Sequence, residues 1–134
     1  MDKLGYIPGD LVYIHGNLRI INNCDGYYAT YYDEDETLQE TNVNVIEGIP
    51  LTKEILEKNG WKLHKNHKRN SYDDVSWSSY HKPAETNINL RFYPEEKAFF
   101  LFLYAQEISE TPIRYIHQFQ HILWALYKNV NFKI

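Results

Sequence analysis

Short apolar runs broken by turn residues open the chain. Asp10–Ile14 is introduced by Pro8-Gly9 and closed by His15-Gly16-Asn17. Leu18–Ile21 follows, and then Asn22–Gly26, whose Asp-Gly pair suits positive φ. Tyr27–Tyr32 is rich in β-formers, and Asn42–Ile46 alternates polar with apolar as a half-buried strand does. Several short strands with frequent turns predict a small, SH3-like β-barrel over residues 1–49. The segment from Pro50 to Gly60 then reads as a short helix. Thr52 is its N-cap, Gly60 its left-handed terminator, and Leu51, Ile55 and Leu56 form its apolar face.

The second half begins with a strand at Trp61–Leu63 and a polar loop from His64 to Asp74. Val75–Tyr80 alternates, with Trp77 as its inward residue. Ile88, Leu90 and Phe92 alternate with Asn87, Asn89 and Arg91. Pro94–Lys97 is a turn, and Ala98–Ala105 is the most apolar run, so these last two strands predict an antiparallel hairpin. Thr111 as N-cap and Pro112 as first helical residue predict a final helix running to about Lys128. Ile116, Phe119, Ile122, Leu123 and Leu126 give it an apolar face to lie across the sheet. The fold class is therefore α+β, with an SH3-like subdomain at 1–49. A helix, an antiparallel sheet and a C-terminal amphipathic helix at 50–134 share its core.

Composition narrows the function. Of the 134 residues 43% are hydrophobic, enough for a core, and the 12 tyrosines offer rings that pack while keeping a polar tip wet. Cys24 is alone, so no intrachain disulfide forms. The start of the chain lacks a basic-then-apolar leader, and no run approaches a membrane span, so a cytoplasmic protein without membrane contact is expected. Residues 1–60 carry 11 acidic and 4 basic side chains, whereas residues 61–134 carry 7 acidic and 10 basic. The acidic balance argues against non-specific DNA binding by the whole chain.

Three constellations could carry chemistry. Asp33, Glu34, Asp35 and Glu36, flanked by Tyr31 and Tyr32, would engage a basic groove on another protein by imitating a phosphate backbone. Lys65, Lys68 and Arg69, with Trp77 as a stacking ring, would instead grip nucleic acid. His117 and His121, four apart on a helix, share a face and could hold a metal in an enzyme, but no further ligand accompanies them. No GxSxG, P-loop, GxGxxG or CxxC motif is present. The expectation is a protein with no catalytic residues, no cofactor and no metal.

Two stretches carry a family resemblance. Ile49-Pro50-Leu51-Thr52-Lys53-Glu54-Ile55-Leu56-Glu57-Lys58-Asn59-Gly60-Trp61 resembles an I-P-L-T-x-E-x-L-x-K-x-G-F/W segment. Tyr115-Ile116-His117-Gln118-Phe119-Gln120, followed by Ala125-Leu126, is similar to a Y-V/I-H-Q-L-Q-N-L-Y-x-A-L helix. Gly9-Asp10-Leu11-Val12 resembles a G-N-x-V start. Together they resemble a family of small uncharacterised proteins from Bacteroidetes, their phages and mobile elements. This chain departs in having His121 where that family has Asn, and in lacking its Thr-Gly-Glu-Glu ending. The resemblance implies a fold plan and a mobile-element setting, but no activity. Size, an acidic front and tyrosines then suggest an accessory protein that binds a host protein, such as an anti-CRISPR-like inhibitor of a nucleic-acid-targeting defence system. A nucleic-acid-binding SH3-like module is the alternative, and a metal-dependent enzyme using His117 and His121 is a further one.

Overall fold

Turn chemistry cuts the N-terminal third into strands as the sequence predicts as far as Tyr32, whereas the strand predicted at Asn42–Ile46 is a 3-10 turn over Val43–Val45 between two strands. At Asp25-Gly26 the glycine has φ 95°, and Asp25 Oδ1 accepts the N–H groups of Tyr27 and Tyr28 at 2.8 Å each. The computed structural model describes residues 5–68, 76–83, 85–104, 106–109, 111–126 and 131–134. They fall into two units. One comprises residues 1–50 and 115–130, and the other residues 51–114 and 131–134.

The first unit contains β1 (Leu11–Ile14), β2 (Asn17–Ile20), β3 (Asn23–Cys24), β4 (Tyr28–Tyr32), β5 (Leu38–Asn42) and β6 (Ile46–Gly48). They form two antiparallel three-stranded sheets, ordered β2-β1-β6 and β3-β4-β5. The chain passes from one sheet to the other between β2 and β3. Ile21 N–H donates to Asp10 O at 2.9 Å, and Asn22 N–H donates to Thr30 O at 2.8 Å. Residues 17–24 therefore act as one bent strand. A 3-10 turn (Val43–Val45), capped by the Asn42 side chain, joins β5 to β6. Tyr6, Val12, Ile14, Ile21, Ala29, Val43 and Ile46 form the core, with Cys24 and Tyr31 packed against it. Among the described residues the strands close no barrel, so the mixed α+β class stands without the barrel expected for 1–49.

The final helix, α2 (Ile116–Ala125), belongs to this unit. The sequence placed it instead with the C-terminal sheet. It also begins later than the Thr111-Pro112 pair suggests. Ile113 stays extended and exchanges two 2.8 Å backbone bonds with Phe99. Tyr115, at φ −123°, is the true N-cap, and Gln118 Oε1 reaches back to accept its N–H at 3.0 Å. The expected end near Lys128 lies outside the described residues.

The second unit opens with α1 (Lys53–Lys58), capped as predicted. Thr52 Oγ1 accepts the Ile55 N–H at 3.2 Å, and Gly60, at φ 87°, ends the helix. Five antiparallel strands follow: β7 (Lys62–His67), β8 (Trp77–Lys82), β9 (Glu85–Tyr93), β10 (Ala98–Leu103) and β11 (Gln106–Glu107). They are ordered β11-β10-β9-β8-β7. The β9–β10 hairpin forms as expected. On one sheet face Tyr80, Leu90 and Leu101 stand in register and are buried. Of the polar stretch predicted as a loop from His64 to Asp74, His64–His67 is instead part of β7 and pairs with β8, while residues 69–74 lie outside the described residues. No helix among the described residues is long and apolar enough to cross a membrane.

Candidate functional site

The acidic run is the turn joining β4 to β5, and half of it is consumed internally. Asp33 Oδ1 accepts the N–H groups of Asp35 (2.9 Å) and Thr37 (3.0 Å), and its Oδ2 accepts from Gln39 Nε2 at 2.9 Å. These bonds, led by the one from Thr37, hold its carboxyl below the usual range. Glu34 pairs with Arg19 at 2.7 Å, a bond that lowers the Glu34 pKa and raises that of Arg19. Tyr31 packs against the core, with the Arg19 guanidinium 5.6 Å from its ring centre. Asp35 and Glu36 make no side-chain bond among the described residues. Glu36 also holds φ 60°, a left-handed backbone that favours glycine.

Beside this turn lies an apolar surface that the sequence reading missed. Leu18, Ile20, Tyr32 and Leu38 are all exposed, Ile20 by 60% and Tyr32 by 55%. Tyr32 and Leu38 are cross-strand partners. Leu18, Arg19, Ile20, Ile21, Asn22 and Tyr32 line an open depression of about 390 Å³. Ordinary β patterning puts such side chains inward, so the signal was a strand, Asn17–Ile20, whose apolar positions do not fit the core. Charge separates with the units. The first holds 9 acidic and 3 basic residues, a net −6, and the second 9 acidic and 11 basic, a net +2.

The basic residues and Trp77 converge elsewhere, on the second face of the five-stranded sheet. A β-bulge between Leu63 and Lys65 shifts the register of β7. Lys62, Lys65 and His67 thereby stand opposite His81, Ser79 and Trp77. The His67 and Trp77 rings stack at 3.4 Å and 12°. The Arg91 guanidinium lies 4.1 Å from the Trp77 ring and 3.9 Å from that of Phe102. Trp77 is therefore half-buried in a stack across the sheet, on the face opposite Tyr80, and not an inward core residue. Lys68 is exposed just beyond the strand, and Arg69 lies outside the described residues.

His117 and His121 sit on α2 with their rings 5.8 Å apart, but they do different work. Asp10, almost wholly buried, accepts the Ile7 N–H at 2.8 Å and places its two oxygens 2.9 and 2.8 Å from His121 Nε2. Gln120, also buried, accepts the Leu11 N–H through Oε1 (3.0 Å) and donates to Gly9 O through Nε2 (3.3 Å). Burial lowers the His117 pKa to about 4, partly opposed by the nearby Asp10 charge. Burial also raises the Tyr6 pKa, aided by Asp10. Among the described residues no group of three His, Cys, Asp or Glu side chains is placed to hold a metal. The cluster anchors the helix to the start of β1. No family model, curated protein or solved structure matches the chain.

Proposed function

We propose that the protein is a non-catalytic, cytoplasmic accessory protein of a phage or mobile element that binds a host protein through its N-terminal unit. Its concrete form is an anti-CRISPR-like inhibitor of a nucleic-acid-targeting defence system. The observation that carries this reading is the exposed apolar set Leu18, Ile20, Tyr32 and Leu38 beside the carboxylates of Asp35 and Glu36. Isolated exposed apolar residues are ordinary, but a contiguous set rimmed by charge suits a partner surface. A unit of net −6 favours a partner whose facing groove is basic, as in proteins that handle nucleic acid. The sequence-derived contact set Tyr31–Glu36 divides accordingly. Tyr32, Asp35 and Glu36 face the partner, while Tyr31, Asp33 and Glu34 hold the hairpin. A glutamate at left-handed position 36, where glycine is easier, fits a contact role.

An SH3-like arrangement of this unit is part of the proposal. The strand sequence β6-β1, then bent β2/β3, then β4-β5, supports it, as does the 3-10 turn before the last strand.

The test compares capture of host-lysate proteins by the wild type, by Ile20→Asp with Tyr32→Ala, and by Asp35→Lys with Glu36→Lys. A Lys53→Glu variant on the other unit is the control. The reading expects one protein retained by wild type and control, lost with both surface variants, and inhibited by the wild type at stoichiometric ratio. Capture indifferent to both surface variants would sink it. So would a patch that serves only to pair two copies of the chain, seen as a dimer in sedimentation that Ile20→Asp dissolves.

A further inference from the structure

We infer that the second face of the five-stranded sheet binds single-stranded nucleic acid, independently of the protein-binding reading of the N-terminal unit. The sequence alternative rested on Lys65, Lys68, Arg69 and Trp77. The structure supplies a different and larger set. Lys62, Lys65 and His67 come from β7, Trp77 and His81 from β8, and Asn89 and Arg91 from β9. The β7 bulge adds His64 to the same side, where its ring meets that of His81 at 5.0 Å. β7, β8 and β10 contain no carboxylate, and the one that β11 brings to this face, Glu107 opposite Phe102, lies at the sheet edge away from the lysines of β7. The face thus combines cations with rings, in a unit that is net positive within an acidic chain.

Three polar atoms on this face are buried with no hydrogen-bond partner among the described residues: Arg91 Nε, Asn89 Oδ1 and His81 Nδ1. His81 and Asn89 face each other across β8 and β9, and Arg91 lies two residues along the same strand. Leaving such atoms unmatched is costly, because each has given up water without gaining a partner. A ligand that offers acceptors to Arg91 and donors to Asn89 recovers part of that cost. Phosphodiesters supply the acceptors, and unpaired base edges supply donors. Arg91 is held flat between Trp77 and Phe102, so its planar fork is oriented before any ligand arrives. His67, Tyr93 and Phe100 remain only partly covered, and the Tyr93 and Phe100 rings meet edge-on at 5.4 Å. Open rings on a sheet accept splayed bases, which a duplex keeps stacked inside itself.

The test is fluorescence anisotropy with labelled single-stranded RNA and DNA of about ten nucleotides. The matching duplex and inorganic polyphosphate serve as competitors, and salt runs from about 50 to about 200 mM. Expected results are saturable binding of a single strand, competition by duplex and polyphosphate at least about tenfold weaker, and a steep loss with salt. Lys62→Glu with Lys65→Glu, both exposed, should weaken binding about tenfold or more and flatten the salt slope. Arg91→Met should weaken it further. If that variant fails to fold, the lysine pair decides. Three results would overturn the inference: no binding by folded protein at low salt, equal competition by polyphosphate, or affinity unchanged in the lysine variants.

Discussion

His121 Nε2 lies 2.8 and 2.9 Å from the two carboxylate oxygens of Asp10, a residue 111 positions away in sequence. A carboxylate accepting at these distances takes its hydrogen from Nε2, which assigns that nitrogen as the donor of the contact. The same carboxylate takes the Ile7 N–H, and thus joins the entry to β1, the N-terminal turn and α2.

Asp10→Ala leaves the Ile7 N–H and His121, both part-buried, without their acceptor. It should lower the unfolding free energy by about 1–3 kcal/mol. Asp10→Asn keeps an acceptor for Ile7 and should lose less. Urea unfolding measures both. Equal midpoints for wild type and Asp10→Ala would show that the bond contributes nothing to stability.

Gln120 makes the neighbouring connection with both ends of its amide. Gln120→Met fills the same volume but leaves the buried Leu11 N–H unmatched, while the carbonyl of exposed Gly9 can turn to water. The expected cost is again about 1–3 kcal/mol, set by the Leu11 N–H. Gln118, whose Oε1 caps the N-terminus of α2, should cost about 0.5–2 kcal/mol when changed to Ala. A double-mutant cycle of Asp10→Asn with Gln120→Met should return a coupling of about 0.5 kcal/mol or more, since both hold one loop to one helix.

His117 gives stability a pH dependence. Its pKa falls to about 4 through burial, against about 6.5 in the unfolded chain. Above 6.5 the ring is neutral in both states and contributes no slope. As pH falls from about 6.5 to 4, unfolded chains take up a proton that folded chains refuse, so stability drops by up to about 3 kcal/mol. Below pH 4 both states are protonated and this contribution is fully lost. Comparing urea midpoints of wild type and His117→Gln over this range isolates the ring from carboxylates titrating nearby. Parallel curves would contradict its burial as a neutral base.

The errors of sequence reading share a physical origin. β5 (Leu38–Asn42) and the part of β7 beyond Leu63 read as loop in the sequence, and both strands lie at sheet edges. Their residues are mostly exposed, so they need no apolar alternation and look like loops. The β9–β10 hairpin and α1 were legible because their patterns answer to burial and capping nearby in sequence. The start of α2 was misread because Thr111-Pro112 mimics a helix opening, while Ile113 is claimed by Phe99. For the sites, residue types were visible but their satisfaction was not. Nothing local reveals that Asp33 binds its own turn, that Asp10 meets His121, or that Arg91 completes a stack begun by His67.

Gly48 should tolerate no side chain, although its strand has ordinary geometry. A Cβ there would sit 2.7 and 2.8 Å from Tyr115 Cδ1 and Cγ, and 3.2 Å from His117 Cε1. Those Tyr115 atoms are the near edge of the ring, which a small rotation cannot remove. Tyr115 is also the N-cap of α2, and Ile116 N–H donates to Ile49 O at 2.8 Å, so the backbone on both sides is tied. Gly48→Ala should therefore destabilise by about 1–3 kcal/mol through overpacking. Tyr115→Ala removes the obstruction, so adding Gly48→Ala to that background should cost markedly less. Denaturant midpoints of the two singles and the double decide it. Strictly additive losses would mean that the glycine answers to its strand and not to the tyrosine ring.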